Sequence, residues 1–235
     1  MTHSILVIDT ATEACSVALK TPDDEARHFE ICPQQHSQKI LPLIDQVCRS
    51  AGTCIQDIDI LGFGHGPGSF TGVRIAISTV QGLALGLNIP AVGVSTLAAM
   101  AQQVFQTSQA TECLVAIDAR MGEVYFAHYQ HVDGIAMLVG QESVLSPFDA
   151  ACYVRERDLA ALKTMALAGT GWQAYPEMQT YISQSGGCLV TLPNARYMLA
   201  LVEQSVSRQQ QQRVDELEPV YLRNTVTWKK LPGRE

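Results

Sequence analysis

GHGPGSFTGVRIAIS (64–78) sets four glycines and a proline directly ahead of an apolar run. Such a segment is either a loop that grips phosphate or a tight turn that seats a helix. A Walker loop needs G-x-x-x-x-G-K-[ST], with its lysine reaching the β- and γ-phosphates. Here Val73 follows Gly72, and the segment has no lysine. The dinucleotide fingerprint G-x-G-x-x-G fails as well, because Thr71 stands where the third glycine belongs after Gly66 and Gly68. What remains is a strand, a Gly-Pro-Gly turn and a helix start at Ser69–Thr71. The free N–H groups of that start suit an anion. Equally, Gly66 and Gly68 supply unusual backbone angles while Ser69 caps the helix.

The helix that follows, VRIAISTVQGLALGL, carries Ser78, Gly82 and Gly86 four residues apart, a stripe of small side chains on one face. Val73, Ile77, Val80 and Ala84 form the neighbouring apolar face. A glycine inside a helix costs about 1 kcal/mol relative to alanine. Close approach of another helix would offset that, whether it belongs to the same lobe or to a second chain, a copy or a relative.

Upstream, SILVID (4–9) and CSVALK read as strand, turn and strand. CLVAIDARMGEVYFAHY (113–129) repeats that plan, and aligning Asp9 with Asp118 lays ILVID on LVAID. This predicts an internal duplication, two α/β lobes facing each other with mixed sheets flanked by helices. The expected division is 1–104 and 105–213, with the segment 214–235 returning to the first lobe. SQKILPLIDQVCRSAG (37–52) predicts a helix capped by Ser37 and stopped by Gly52, with Ile40, Leu43, Ile44, Val47 and Cys48 at helical spacing. Pro42 either opens that helix or kinks it. IDILGFG and NIPAVGVS read as strands, and STLAAMAQQVFQ as a third helix. MALAGTGWQAY (165–175) is a strand ending in a Gly-Thr-Gly turn, and NARYMLALVEQSVSRQQQQ a helix with a frayed glutamine end.

Only 17% of the 235 residues are charged, against roughly 25% in an average domain, so part of the surface is expected to be covered by a partner. A net charge of −7 argues against autonomous nucleic-acid binding, which needs basic surface. The exception is Arg223, Lys229, Lys230 and Arg234, either a solvated end or a contact to nucleic acid. Seven cysteines without CxxC spacing read as reduced, mostly buried thiols of a cytosolic protein. No signal peptide is evident, and no apolar stretch reaches the roughly 20 residues of a membrane span.

His36, His65, His128 and His131 are the histidines with catalytic or ligand potential. His128 and His131 are three apart on a predicted strand, so they point to opposite faces and do not share a metal. His65 suits a turn-edge hydrogen bond. Asp9 and Asp118 end equivalent strands, and either face each other around a magnesium-bound nucleotide or cap their own turns.

The order of these pieces resembles the actin/hexokinase/Hsp70-type (ASKHA) fold with its RNase H-like lobes. Within it, IDTATEACSVAL (8–19), HSQKILPLI (36–44), GPGSFTGVRIAIS (66–78), QGLALGLNIPAVGVSTL (81–97), AIDARMGEVY (116–125), GTGWQAYPE (169–177) and EPVYLRNTVTWKKLPG (218–233) resemble the TsaB (YeaZ) family of the bacterial tRNA threonylcarbamoyladenosine (t6A) machinery. The resemblance implies a cytoplasmic, non-catalytic scaffold for the catalytic relative TsaD, forming a heterodimer with it or a homodimer when alone. It also implies docking of the ATPase TsaE on that pair, tRNA contact only within the complex, and no membrane. The first two helices would supply the interface, through Ile40, Leu43, Ile44, Val47, Val73, Ile77, Ser78, Gly82 and Gly86. TsaD's HxxxH metal ligands fall here on Thr96 and Met100, and its later aspartate near Pro193, types that offer a hard ion little. ATP and a metal would therefore belong to the partner complex. The implied nucleotide pocket of this chain, vestigial, would consist of Asp9, Thr10, Asp118, Gly169, Thr170 and Gly171. The rival reading is an ATP-dependent phosphotransferase of the same fold; a metallopeptidase is disfavoured by the missing ligands.

Overall fold

The computed structural model describes residues 3–157 and 165–223. The chain opens with β1 (Ile5–Asp9), β2 (Ala14–Lys20) and β3 (Glu25–Ile31), then α1 (His36–Ser50), β4 (Ile60–Gly66), α2 (Phe70–Leu87), β5 (Ala91–Ser95) and α3 (Thr96–Thr107). The second half runs β6 (Glu112–Asp118), β7 (Val124–Val132), β8 (Ile135–Leu145), α4 (Pro147–Arg155) and β9 (Met165–Ala168). It ends with the short α5 (Gly171–Ala174) and α6 (Pro176–Gln179), β10 (Cys188–Val190) and α7 (Ala195–Ser207).

Two five-stranded sheets result, ordered β3-β2-β1-β4-β5 and β8-β7-β6-β9-β10. Each is a three-strand antiparallel meander extended by two parallel strands. The shared path, with Asp9 and Asp118 ending the two central strands, is the duplication expected from the matched hairpins. β1 is buried on both faces, which is why ILVID reads as an unbroken apolar run rather than an alternation. This is the ASKHA-type architecture of two α/β lobes.

Helices α1 and α2 cover the outer face of the first sheet around Leu6, Ile8, Val17 and Leu61. Its inner face is covered by α7, through Met198, Leu199 and Val202 against Ile5, Val7 and Val92. The inner face of the second sheet receives α3, through Leu97, Met100, Val104 and Phe105. Trp172, Met178 and α4 close its outer face. The two inner helices are thus exchanged, each belonging by chain order to one lobe and by packing to the other. A division at 104/105 falls inside α3. In the described part of the tail, Leu217 enters the first lobe's core beneath α2, while Leu222 packs against the core of the second.

Several local expectations need correction. The N-cap position of α1 is Gln35, not Ser37, and no side chain caps it. The helix starts earlier because buried His36 ties its ring Nε2 to the Ala14 carbonyl, 3.2 Å away. Pro42 lies inside the helix. Gly52, at φ +64°, terminates it as expected. The glutamine run is not simply frayed, since Gln212 pairs through its backbone with Ala91 at the edge of β5. Among the described residues α2 is long and apolar enough to cross a membrane, but its buried Val73, Ala76, Ile77, Val80 and Ala84 pack on the sheet as a core helix does. Strands β3, β8 and β10 and helix α4 were not anticipated.

Candidate functional site

The glycine turn is built for close backbone packing. Ser69 caps α2 by accepting the Gly72 N–H at 3.3 Å, and the Ser69 N–H donates to the Ala11 carbonyl at 2.7 Å. The Thr10 hydroxyl donates to the Gly72 carbonyl at 2.7 Å. A Cβ on Gly68 would overlap the Ala11 carbonyl oxygen, and one on Gly72 that of Thr10. The first turn of α2 is therefore locked onto the β1–β2 turn, with two of its early N–H groups already engaged. The helix-seating reading of the turn prevails.

Along α2, Ser78, Gly82 and Gly86 face outward, and a Cβ on Gly82 or Gly86 would meet nothing within 4 Å. Among the described residues the stripe does not pack within its own lobe. Arg74 continues the same line toward the helix start, where its guanidinium lies 3.3 Å from the Phe70 ring centroid. Leu85 at 72%, Phe70 at 63% and, on α1, Leu41 at 57% are unusually exposed for their size. The other residues assigned to this interface are corrected: Ile40, Leu43, Ile44, Val47, Val73 and Ile77 all lie in the first lobe's own core. Their helical periodicity marked the core-facing stripe of each helix, not its outward one.

Between the lobes lies a cleft of about 930 Å³. Its first-lobe wall includes Thr12, Glu13, His36, Ser37 and Gly68–Gly72, and its second-lobe wall Asp118–Arg120, Tyr125, Thr170 and Arg223. Of the six residues expected around a nucleotide, only Asp118 and Thr170 line it. Both Asp118 carboxylate oxygens are engaged, Oδ1 by the Arg120 N–H at 2.9 Å and the Tyr175 hydroxyl at 2.8 Å, Oδ2 by the Arg120 guanidinium at 3.2 Å. Asp9 is fully buried, accepts the Ala11 N–H at 3.3 Å and, among the described residues, leaves Oδ2 without a donor. Each aspartate thus caps its own turn. Gly169 and Gly171 lie against the Ala116 carbonyl as packing glycines, Gly169 at φ +105°. The six do not assemble around one cavity.

Thr96 and Met100 are fully buried, Met100 inside the second lobe's core. Pro193 is buried just ahead of α7. His128 is held between Glu112, 2.8 Å from Nε2, and the Tyr153 hydroxyl, 3.2 Å from Nδ1, while His131 stacks on Phe105. Burial depresses the His128 pKa, with Glu112 opposing the shift. Sequence reasoning missed Glu142, whose carboxylate accepts from the Tyr129 and Ser95 hydroxyls where β5 turns into α3. Burial raises its pKa. It also treated Arg223 as part of a basic end. Its guanidinium is mostly covered and paired with Glu123, whereas Lys229, Lys230 and Arg234 lie outside the described residues.

A family model described as "TsaD: tRNA N6-adenosine threonylcarbamoyltransferase" matches residues 28–222. The tRNA threonylcarbamoyladenosine biosynthesis protein TsaB of Escherichia coli is 48% identical over 236 residues, spanning 98% of this chain and 99% of the relative. The chain belongs to the TsaB family. The TsaB of Haemophilus influenzae is 39% identical, over 99% of this chain and 98% of its own. A solved YeaZ from Pseudomonas aeruginosa superposes with a TM-score of 0.80 at 37% identity, over 94% of this chain and all of the other. A second Pseudomonas aeruginosa structure, described as similar to peptidase YeaZ, gives 0.82 at 38% identity with the same coverage.

Proposed function

We propose that this chain acts in tRNA t6A biosynthesis as a non-catalytic scaffold that holds TsaD through the outer face of α2. The observation that carries the reading is the outward Ser78–Gly82–Gly86 stripe, whose two glycines have no neighbour among the described residues and which is flanked by exposed Leu85 and Phe70. Interior glycines on a free helix face are a standing loss of stability; a helix packed closely against them offsets it. The residue types at Thr96, Met100 and Pro193 support the absence of a catalytic metal of this chain's own. ATP and the metal then belong to TsaD and TsaE, and tRNA is met only in the complex. Without TsaD the same face would pair two copies, and the setting is the cytoplasm.

The test is a drop-out assay of tRNA threonylcarbamoylation with ATP, threonine, bicarbonate, tRNA and the other components. Activity should require this chain and survive Asp9→Asn. If omission changes nothing, the scaffold reading fails; if Asp9→Asn abolishes activity while folding and TsaD binding persist, a working pocket replaces it. Sedimentation of Gly82→Leu and Gly86→Leu should show loss of the homodimer and of the TsaD heterodimer. Survival of both assemblies would move the interface elsewhere.

A further inference from the structure

We propose that residues 217–223 are a strap that clasps the two lobes together across the mouth of the cleft, with Arg223 as the clasp. This concerns the chain's own conformation and stands whether or not the α2 face docks TsaD. One end of the strap is anchored in the first lobe. Leu217 is buried beneath α2, its carbonyl accepts from the Gln81 amide at 3.3 Å, and the Val220 N–H donates to the His65 carbonyl at 2.9 Å. In between, Tyr221 lies on the α2 surface with its ring centroid 6.0 Å from that of Phe70.

The other end grips the second lobe. Arg223 Nη2 donates to the Ala119 carbonyl at 3.1 Å and the Arg120 carbonyl at 3.4 Å, and pairs with the Glu123 carboxylate at 2.5 Å. Its target is the tip of the β6–β7 hairpin, where Arg120 and Met121 hold left-handed backbone at φ +62° and +58°. Consecutive non-glycine residues in that region are strained and persist where surrounding contacts over-determine them. Arg223 supplies such contacts by binding the carbonyls of that turn. From the same tip, the Arg120 guanidinium reaches back across the cleft to Glu13 of the first lobe at 3.5 Å. Both of these bridges at the cleft mouth thus converge on one hairpin tip, and the half-covered Arg223 pair is worth more than the exposed Arg120–Glu13 pair, since solvent screens the latter. Releasing Arg223 therefore frees the tip and leaves the Leu222 contact with the second lobe's core and a weak ion pair to hold the mouth.

Hydrogen–deuterium exchange on the full-length chain tests this. Arg223→Ala should speed exchange on the order of tenfold in 119–124 and also in the opposite, first-lobe rim at 11–13, with the sheet cores unchanged. Glu123→Gln, which leaves the tail sequence intact, should produce the same pattern at both rims and decides the matter if Arg223→Ala fails to fold. Acceleration confined to the hairpin and the tail, with 11–13 unaltered in the variants that fold, would show a local contact and overturn the strap.

Discussion

Asp9 is a carboxylic acid whose environment departs far from its chemistry in water. Burial lifts its pKa from 3.8 to about 7, with the Ala11 N–H opposing the shift. Between those values the folded chain holds a proton that the unfolded chain has released. Stability from this group is therefore whole below about pH 4 and is lost as pH rises to about 7. His65 does the opposite, its pKa pressed by burial from 6.5 to about 4. Its contribution is whole above pH 6.5 and is lost as pH falls toward 4. The two slopes oppose each other in the wild-type chain. Asp9→Asn removes one of them, so the gain in urea midpoint from pH 4.5 to pH 7.5 should be larger in the variant than in the wild type. An unchanged gain would mean that Asp9 is ionised in the fold. The sequence showed that Asp9 ends a strand; it could not show that the carboxylate is sealed against Gly64 without a second donor among the described residues, because that depends on a strand remote in the chain, β4.

At the scale of the element, α2 holds two kinds of glycine that the sequence does not distinguish. Gly72→Ala would drive its methyl into the Thr10 carbonyl, and should lower stability by about 3 kcal/mol. Gly82→Ala meets open space, and should raise the stability of the isolated chain by about 1 kcal/mol. Thermal unfolding of both variants checks the pair of signs, and equal effects would refute the packing described here. The helices and central strands were legible because period and capping agreed, as in Ser69 and the run from Val73 to Ala84. β3 escaped notice although EARHFEI alternates, because its inward positions are Ala26, His28 and Glu30 rather than a run of large apolar groups. The docking face proposed on α2 was half legible for a related reason. Apolar periodicity reports the buried side of a helix, so it named α1's core residues and passed over exposed Leu41.

For the molecule as a whole, the tail as far as Arg223 is structural. Leu217 is buried among residues of the first lobe's core, so Leu217→Ala should cost about 2–4 kcal/mol in urea unfolding. A midpoint matching the wild type would mean that the tail does not complete that core. The duplication was readable from two hairpins, but the exchange of α3 and α7 was not. Both helices are amphipathic, and the local pattern says only that a sheet covers them, not which one.

That exchange has a consequence for how the chain is made. A ribosome that has released residues 1–110 has delivered a sheet with one face bare, and a helix whose apolar side fits a sheet not yet synthesised. The missing cover arrives only with Ala195–Ser207. Neither half is a separable folding unit, so a fragment ending at residue 110 should accumulate as aggregate, while co-expressed halves should rescue each other. Synthesis must run nearly to the end before either half is finished.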